Sequence, residues 1–131
     1  MDPNQRVLTA LEREVLARLT SCGGEDFECL RRQAEVAEVR AREFTGVGFF
    51  VELLLPPGVQ PLPACATGTL GTLHVRCPSV HSGLGFLVFL RDGCLSLLEC
   101  FTYEEPLPAL ELSELEFEEF PRIELQRGRG S

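Results

Sequence analysis

The sequence predicts an α+β fold, in which two N-terminal helices pack on one face of an antiparallel sheet of five or six strands. Apolar residues up to Val36 recur at helical spacing, whereas those after Glu38 alternate with polar residues as in strands. Two tight-turn signals, at residues 46–48 and at Asp92-Gly93, join neighbouring strands and make those pairs antiparallel. Because amphipathic helices must bury their apolar stripes, we expect both helices to cover the sheet.

The first helix is predicted to begin at Asp2-Pro3, since Asp accepts hydrogen bonds from free backbone N–H groups and Pro has no N–H to leave unpaired. It ends at Gly23-Gly24, where glycine adopts the left-handed conformation without strain. Its apolar stripe consists of Val7, Leu8, Leu11, Val15, Leu16 and Leu19. Its exposed side is expected to carry Arg6, Glu12, Arg13, Glu14 and Arg18. A second helix is predicted from about Glu25 to Val36.

Residues 38–55 predict the first hairpin, with the three-residue loop Gly46-Val47-Gly48 and a bulge at its last glycine. This register places Arg42 opposite Glu52, on the face away from the apolar one. A two-residue loop would place Arg42 opposite Val51 on the apolar face, where an unpaired charge is costly to bury. We therefore expect the three-residue loop.

The central hairpin spans Leu84–Tyr103, with Asp92-Gly93 as a two-residue type I′ turn. The turn sets the register, so Phe86 is expected opposite Glu99. Glu99 then lies on an otherwise apolar core face, where a carboxylate needs a partner or a raised pKa.

The other face of the central hairpin is about half apolar, which is too apolar for a freely solvated surface. We expect a loop, a helix or a second subunit to cover part of it. The candidate interface residues are Leu87, Phe89 and Leu98.

Polar residues in or beside the predicted strands form a candidate polar site. Its members are Arg40, Arg42, Glu52, Glu99 and Tyr103. Cross-strand pairing is their ordinary structural explanation, with Arg40 or Arg42 as the partner of Glu99. Without such a partner Glu99 becomes a candidate functional residue, since perturbed carboxyl groups cluster at functional sites.

The spacing nearest to a metal cluster is that of His74, Cys77 and His81. Zinc sites usually combine tighter cysteine pairs with four ligands, so we favour chance spacing over a metal site. The same residues offer a cysteine nucleophile and a base, but no orienting group accompanies them. We predict no metal, no cofactor and no catalytic residue.

The chain of 131 residues has a net charge of −8, and all 12 basic residues are Arg. A nucleic-acid-binding surface needs concentrated positive charge, so we do not expect nucleic acid as a partner. No apolar run approaches the ~20 residues that span a bilayer, and the polar start lacks a signal peptide. We expect a cytoplasmic protein with its six cysteines reduced, one domain over 1–125 and a mobile tail over 126–131.

Two motifs, REFTGVGFF (Arg42–Phe50) and RDGCLSLLECFTYEEPLP (Arg91–Pro108), resemble a pattern in a family of small, functionally uncharacterised bacterial proteins. In that family a REFTGVGFF-like hairpin precedes a DG-x-L-x-x-LE-x-(F/Y)-T-Y-x-E-P segment. The resemblance covers about residues 30–110. It implies a bacterial cytosolic origin and makes the two hairpins one unit, and it transfers no functional residue.

The first functional hypothesis is a non-enzymatic, immunity- or antitoxin-like protein that occludes a protein partner. The acidic segment at 104–120, with a predicted edge strand at Leu112–Phe120, offers a docking surface for a basic protein or simply protects the edge. The alternative is a homo-oligomeric ligand-binding module that uses the second sheet face. An enzyme with a site around Arg42, Glu99 and Tyr103 ranks third.

Overall fold

The computed structural model describes residues 6–21, 23–63, 67–103, 106–110, 112–117 and 122–123. Two helices precede the strands, as predicted. They are α1 (Ala10–Ser21) and α2 (Glu28–Val36), with a short 3₁₀ helix at Gly24–Phe27 between them. The predicted tail at 126–131 lies outside the described residues.

The strands form one antiparallel sheet, which confirms the predicted α+β class. They are β1 (Glu38–Phe44), β2 (Gly48–Leu54), β3 (Gly68–Cys77), β4 (Val80–Arg91), β5 (Cys94–Thr102), β6 (Glu116–Phe117) and β7 (Arg122–Ile123). The long strands lie in the order β1-β2-β5-β4-β3, and the short β6 and β7 both pair with the free edge of β3. Within the predicted edge strand at Leu112–Phe120, the described residues contain a 3₁₀ helix and β6, and 118–120 lie outside them.

Both helices pack on one face of the sheet, here named the core face. Helix α1 contacts β3 and β4, and α2 contacts α1 and β5. The helices contribute Val15, Leu16, Leu19 and Leu30, which are at most 1% exposed. The sheet contributes Phe49, Val51, Leu53, Leu73, Val75, Leu84, Phe86, Val88, Leu90, Leu95, Leu98 and Cys100. Each fully buried aliphatic side chain stabilises the fold by roughly 1.5–3 kcal/mol relative to exposure.

Helix α1 begins later than predicted. The predicted start at Asp2-Pro3 lies outside the described residues, and residues 6–9 are not helical. Thr9 caps the helix instead: its Oγ1 accepts a hydrogen bond from the N–H of Glu12 at 3.1 Å, and its own N–H donates to Glu12 Oε1 at 2.8 Å. This reciprocal capping box is visible in the sequence as Thr9-x-x-Glu12.

Glu12 also holds the first strand against the helix. Its carboxylate accepts hydrogen bonds from Arg42 of β1, from Nε at 2.9 Å and from Nη2 at 2.5 Å. The same Nη2 donates to the carbonyl oxygen of Val7 at 3.1 Å. The Arg42 and Glu12 side chains are 0% and 1% exposed, so the prediction that Glu12 is exposed was wrong. A buried charge needs a well-formed partner, and each of these side chains provides it for the other.

The first hairpin has a two-residue loop in place of the predicted three-residue loop. The N–H of Thr45 donates to the carbonyl oxygen of Gly48 at 3.0 Å, and Gly46 has a φ of +88°. Arg42 therefore lies opposite Val51 on the core face.

This register buries the Arg42 charge, but it does not leave the charge unpaired, because Glu12 of α1 is its partner. Arg42 is buried, but Glu12 neutralises it. A bulge at Arg40 lets Val39 and Arg42 point to the same face and leaves Ala41 exposed. Alternation along the strand could not show this, because the counter-charge comes from a helix 30 residues earlier.

The central turn has the predicted geometry. Asp92 and Gly93 have φ values of 52° and 82°, as a type I′ turn requires. Beyond the first pairs the register shifts by one residue, with Ser96 as the extra residue of a bulge. The residue opposite Glu99 is therefore Leu87, and the prediction that it is Phe86 was wrong.

The bulge in β5 reverses two predictions. Glu99 lies on the outer face of the sheet, which is the side away from the helices, and Leu98 lies on the core face at 0% exposure. Leu98 is therefore not an interface residue. The observed register buries the apolar Leu98 and moves the Glu99 carboxylate out of the core to the partly solvated outer face, which is the less costly arrangement.

The Gln33 side chain ties α2 to the central turn and to the proline-rich loop that follows β2 (residues 56–63). Its Nε2 donates to the carbonyl oxygens of Gln60 at 2.8 Å and Gly93 at 3.2 Å, and its Oε1 accepts from the N–H of Leu95 at 2.8 Å. The N–H of Leu62 also donates to the Gly93 carbonyl oxygen at 2.8 Å. Because Gln33 is 1% exposed, these bonds satisfy an otherwise costly buried amide.

The variant Glu12→Gln tests the buried ion pair, because Gln keeps the shape and the capping bond but leaves the Arg42 charge unneutralised. We expect the free energy of unfolding, measured by urea denaturation at neutral pH, to fall by about 3–5 kcal/mol. Glu14→Gln is the control, since it loses only the partly exposed pair with Arg18, and it should cost about 0.5 kcal/mol or less.

The double variant Glu12→Gln/Arg42→Met should recover much of the lost stability, because it removes the stranded charge. A loss in Glu12→Gln no larger than that in the control would show that the pair does not hold α1 to β1.

Gly93→Ala should destabilise the fold more than Gly46→Ala does. Both glycines have positive φ, at 82° and 88°, which costs a residue with a Cβ about 1–2 kcal/mol. At Gly93 the added Cβ would also lie 2.6 Å from the carbonyl oxygen of Leu62, whereas at Gly46 nothing lies within 4 Å. Urea denaturation of both variants measures the difference. Equal losses would mean that the loop holding Leu62 moves aside without cost.

Candidate functional site

The outer face of the sheet is the candidate functional site. Cross-strand pairing aligns its side chains in rows. The middle row, from β1 to β3, consists of Glu43, Phe50, Glu99, Leu87 and Thr72. The row nearer the central turn consists of Ala41, Glu52, Leu97, Phe89 and Thr69. The row on the other side consists of Gly48, Phe101, Gly85 and His74.

The apolar members of these rows are only partly buried. They are Phe50, Leu87, Phe89, Leu97 and Phe101. In the part of the chain that the structure describes, both helices pack on the core face and neither covers the outer face. The candidate interface residues Leu87 and Phe89 lie on this face. The third predicted residue, Leu98, does not, and its neighbour Leu97 lies on the outer face instead.

Glu99 lies in the centre of the middle row, between Phe50 of β2 and Leu87 of β4. Desolvation in this place raises the pKa of its carboxyl group. Among the described residues Glu99 makes no ion pair and no hydrogen bond. When ionised, it is therefore partly dehydrated without a counter-charge from the described chain.

Neither predicted arginine partner reaches Glu99. Arg42 faces the core and binds α1, and Arg40 lies in the exposed bulge of β1 with no ion pair to Glu99. The predicted polar site is thus divided: Glu52 and Glu99 are diagonal neighbours on the outer face, Tyr103 follows the end of β5, and Arg42 is on the opposite face. This separation removes the constellation on which the enzyme hypothesis depended.

Three aromatic rings cluster at one end of the outer face. The Tyr103 hydroxyl and Nδ1 of His74 lie 2.9 Å apart in a hydrogen bond, and their rings stack with centroids 6.3 Å apart. Phe101 meets Tyr103 edge-on at 5.6 Å. Its ring lies over Gly85, where an added Cβ would be 2.4 Å from the ring atom Cζ. Gly85 therefore makes room for a cluster that adds stacking and polar contacts to the rim of the apolar rows.

His74, Cys77 and His81 do not come together as a group of three ligands. His74 bonds to Tyr103, Cys77 is buried and His81 is exposed. Within the described residues, no group of three or more His, Cys, Asp or Glu side chains is arranged to hold a metal ion.

Cys100 lies directly beside Glu99 in β5 but points into the core. Burial, together with the charge of Glu99, raises the pKa of its thiol to about 12. The thiolate is the nucleophilic form of cysteine, and at neutral pH this thiol stays protonated. Cys100 therefore acts as a small apolar core residue.

The sequence-based candidate site left out Phe50 and Leu97. Phe50 can be found by extending the row of Glu99 across β2 once the register of β2 against β5 is known. Leu97 carries no such signal, because either leucine of Leu97-Leu98 fits the core and only the bulge decides between them.

Comparisons of the chain with protein-family models, with curated proteins and with solved structures found no match. None of the helices among the described residues has the length and apolar character needed to cross a membrane. A function must therefore be argued from the geometry of the outer face.

Glu99→Gln should stabilise the protein near neutral pH, because Gln occupies the same place without a desolvated charge. Since the pKa of Glu99 in the folded state lies above its ordinary value of 4.5, protonation favours folding. The stability that this gives is present below the ordinary value and is lost as the pH rises through the folded-state pKa. Above that range the variant should gain less than about 1 kcal/mol on the wild type, because solvent screens a partly exposed group.

Denaturant unfolding across the pH range measures this difference. Glu35→Gln, at an exposed position of α2, is the control, because it removes one carboxylate without changing the outer face, and the Glu99→Gln profile is compared with it. A stability difference for Glu99→Gln that shrinks as the pH rises would contradict the assignment.

Proposed function

We propose that this chain is a non-enzymatic interaction protein that binds a protein partner through its outer sheet face. The observation that carries the proposal is the partly exposed apolar surface centred on Leu87, Phe89 and Leu97. Folded monomers seldom leave a contiguous apolar face uncovered unless it binds something. An apolar centre with a polar rim, here including Glu43 and Glu52, is also the usual anatomy of a protein interface.

The charge of the chain favours a basic partner. A net charge of −8 speeds association with a positively charged protein and disfavours acidic ones. The small size, the acidity and the resemblance of the two hairpin motifs to small bacterial proteins support an immunity- or antitoxin-like role in the bacterial cytoplasm. Such a protein acts by covering the working surface of its partner.

A homo-oligomeric ligand-binding module is the alternative, because a second copy would cover the same apolar rows. The carboxylates argue against it. A two-fold interface brings the same patch of both copies together. Because neither the middle row nor the row nearer the central turn contains a basic residue, a second copy covering these rows would leave Glu52 and Glu99 without a counter-charge, which is costly for a buried carboxylate.

Site-specific photo-crosslinking in the cells that make the protein tests the proposal. The crosslinking residue p-benzoylphenylalanine replaces Phe89 on the outer face, and in the control it replaces Val36, which is 46% exposed on α2. We expect a covalent adduct with one different polypeptide from position 89 and none from position 36. Mass spectrometry identifies the captured chain.

The captured polypeptide, purified separately, should bind the wild-type chain and lose about tenfold or more in affinity for Leu97→Glu, as truncated interface centres do. An adduct with a second copy of this chain would favour the homo-oligomer. Equal adducts from both positions, or none from either, would overturn both functions.

A further inference from the structure

The middle row and the row nearer the central turn combine apolar side chains with carboxylates. On β1, β2 and β5 the carboxylates are Glu43, Glu52 and Glu99. The apolar side chains beside them are Phe50, Leu87, Phe89 and Leu97. Neither row contains a basic residue. This surface therefore discriminates between partners by charge as well as by apolar contact.

Glu99 is the carboxylate of these rows whose hydration the fold already reduces. Its surroundings already remove part of its hydration and raise its pKa. The diagonal neighbour Glu52 adds like charge instead of a counter-charge. A cation placed over Glu99 would act where water is partly excluded, and an ion pair is stronger there than on an open surface.

We propose that the outer face binds a basic protein segment that places an arginine or lysine side chain over Glu99 while its apolar side chains pack on Leu87, Phe89 and Leu97. This inference rests on the proposed function and specifies the chemistry of the partner.

The shape of the surface suits a protein segment better than a small molecule. Its rows cross five strands, β1, β2, β5, β4 and β3, and neighbouring strands lie about 4.8 Å apart, so the surface is roughly 19 Å wide. The cavity over Phe50, Glu52 and Leu97 has a volume of about 310 Å³, which is at the lower end of the range for small-ligand pockets. The rows extend beyond it to Leu87 and Phe89, so a protein segment covers more of this surface than a small molecule in the cavity does. A second copy that covered these rows with its own rows would offer Glu99 no cation, because neither row contains a basic residue.

Two short peptides of equal shape test the role of the cation. Valine alternates with arginine in one peptide and with citrulline, the neutral isostere of arginine, in the other. Fluorescence anisotropy measures the affinity of each peptide for the wild type, for Glu99→Gln and for the control Glu35→Gln. The control removes the same charge from an exposed position on α2.

We expect the wild type and Glu35→Gln to prefer the arginine peptide by about fivefold or more, and this preference to fall to about twofold or less in Glu99→Gln. An equal fall in both variants would show general attraction to an acidic protein and would overturn the role of Glu99. The absence of a preference in the wild type would also overturn it.

The two proposals fail in distinguishable ways. If the crosslink from position 89 captures a partner but Glu99→Gln keeps the full arginine preference, the interface stands and the cation contact is wrong. If the peptides show the expected preference but position 89 captures nothing, the cation contact stands and the cellular function is wrong. Sedimentation that shows a dimer strengthened by Glu99→Gln would assign the face to a second copy.

Discussion

The ion pair between Glu12 and Arg42 is the interaction on which the placement of the helices over the sheet depends. One carboxylate accepts the capping bond from Thr9 and neutralises a buried strand residue, so the start of α1, the bulge in β1 and the register of the first hairpin are set together. A buried ion pair adds little net stability over an apolar pair, but it is costly to break. We interpret this one as a device that selects a single arrangement of helix and strand.

The bulges at Arg40 and Ser96 decide what the sheet buries. Each adds one residue to a strand. The side chains beyond the bulge therefore lie on the opposite face from the one that strict alternation would give them. In β1 the exchange turns Arg42 inward to its partner, and in β5 it turns Leu98 inward and Glu99 outward. The acidic and apolar rows of the outer face arise from the same geometry that completes the core.

The proposed function and the proposed partner chemistry share one energetic origin. A carboxylate that is partly dehydrated and has no counter-charge among the described residues lowers the stability of the isolated chain. The same carboxylate would gain more binding free energy from a cation than a fully hydrated carboxylate would. Part of the water that an ion pair must displace is already absent from Glu99 in the free chain. In the proposed binding mode, Glu99 links a small cost in folding to a preference for basic partners.

The sequence by itself determined the main elements and their order: two helices, two hairpins and the type I′ turn at Asp92-Gly93. These features follow from local rules of spacing, alternation and turn chemistry. Only the tertiary structure decided the faces of Arg42 and Glu99, because those depend on single-residue bulges and on a counter-charge from a distant helix. Alternation along a strand has a period of two, so one inserted residue inverts every face beyond it.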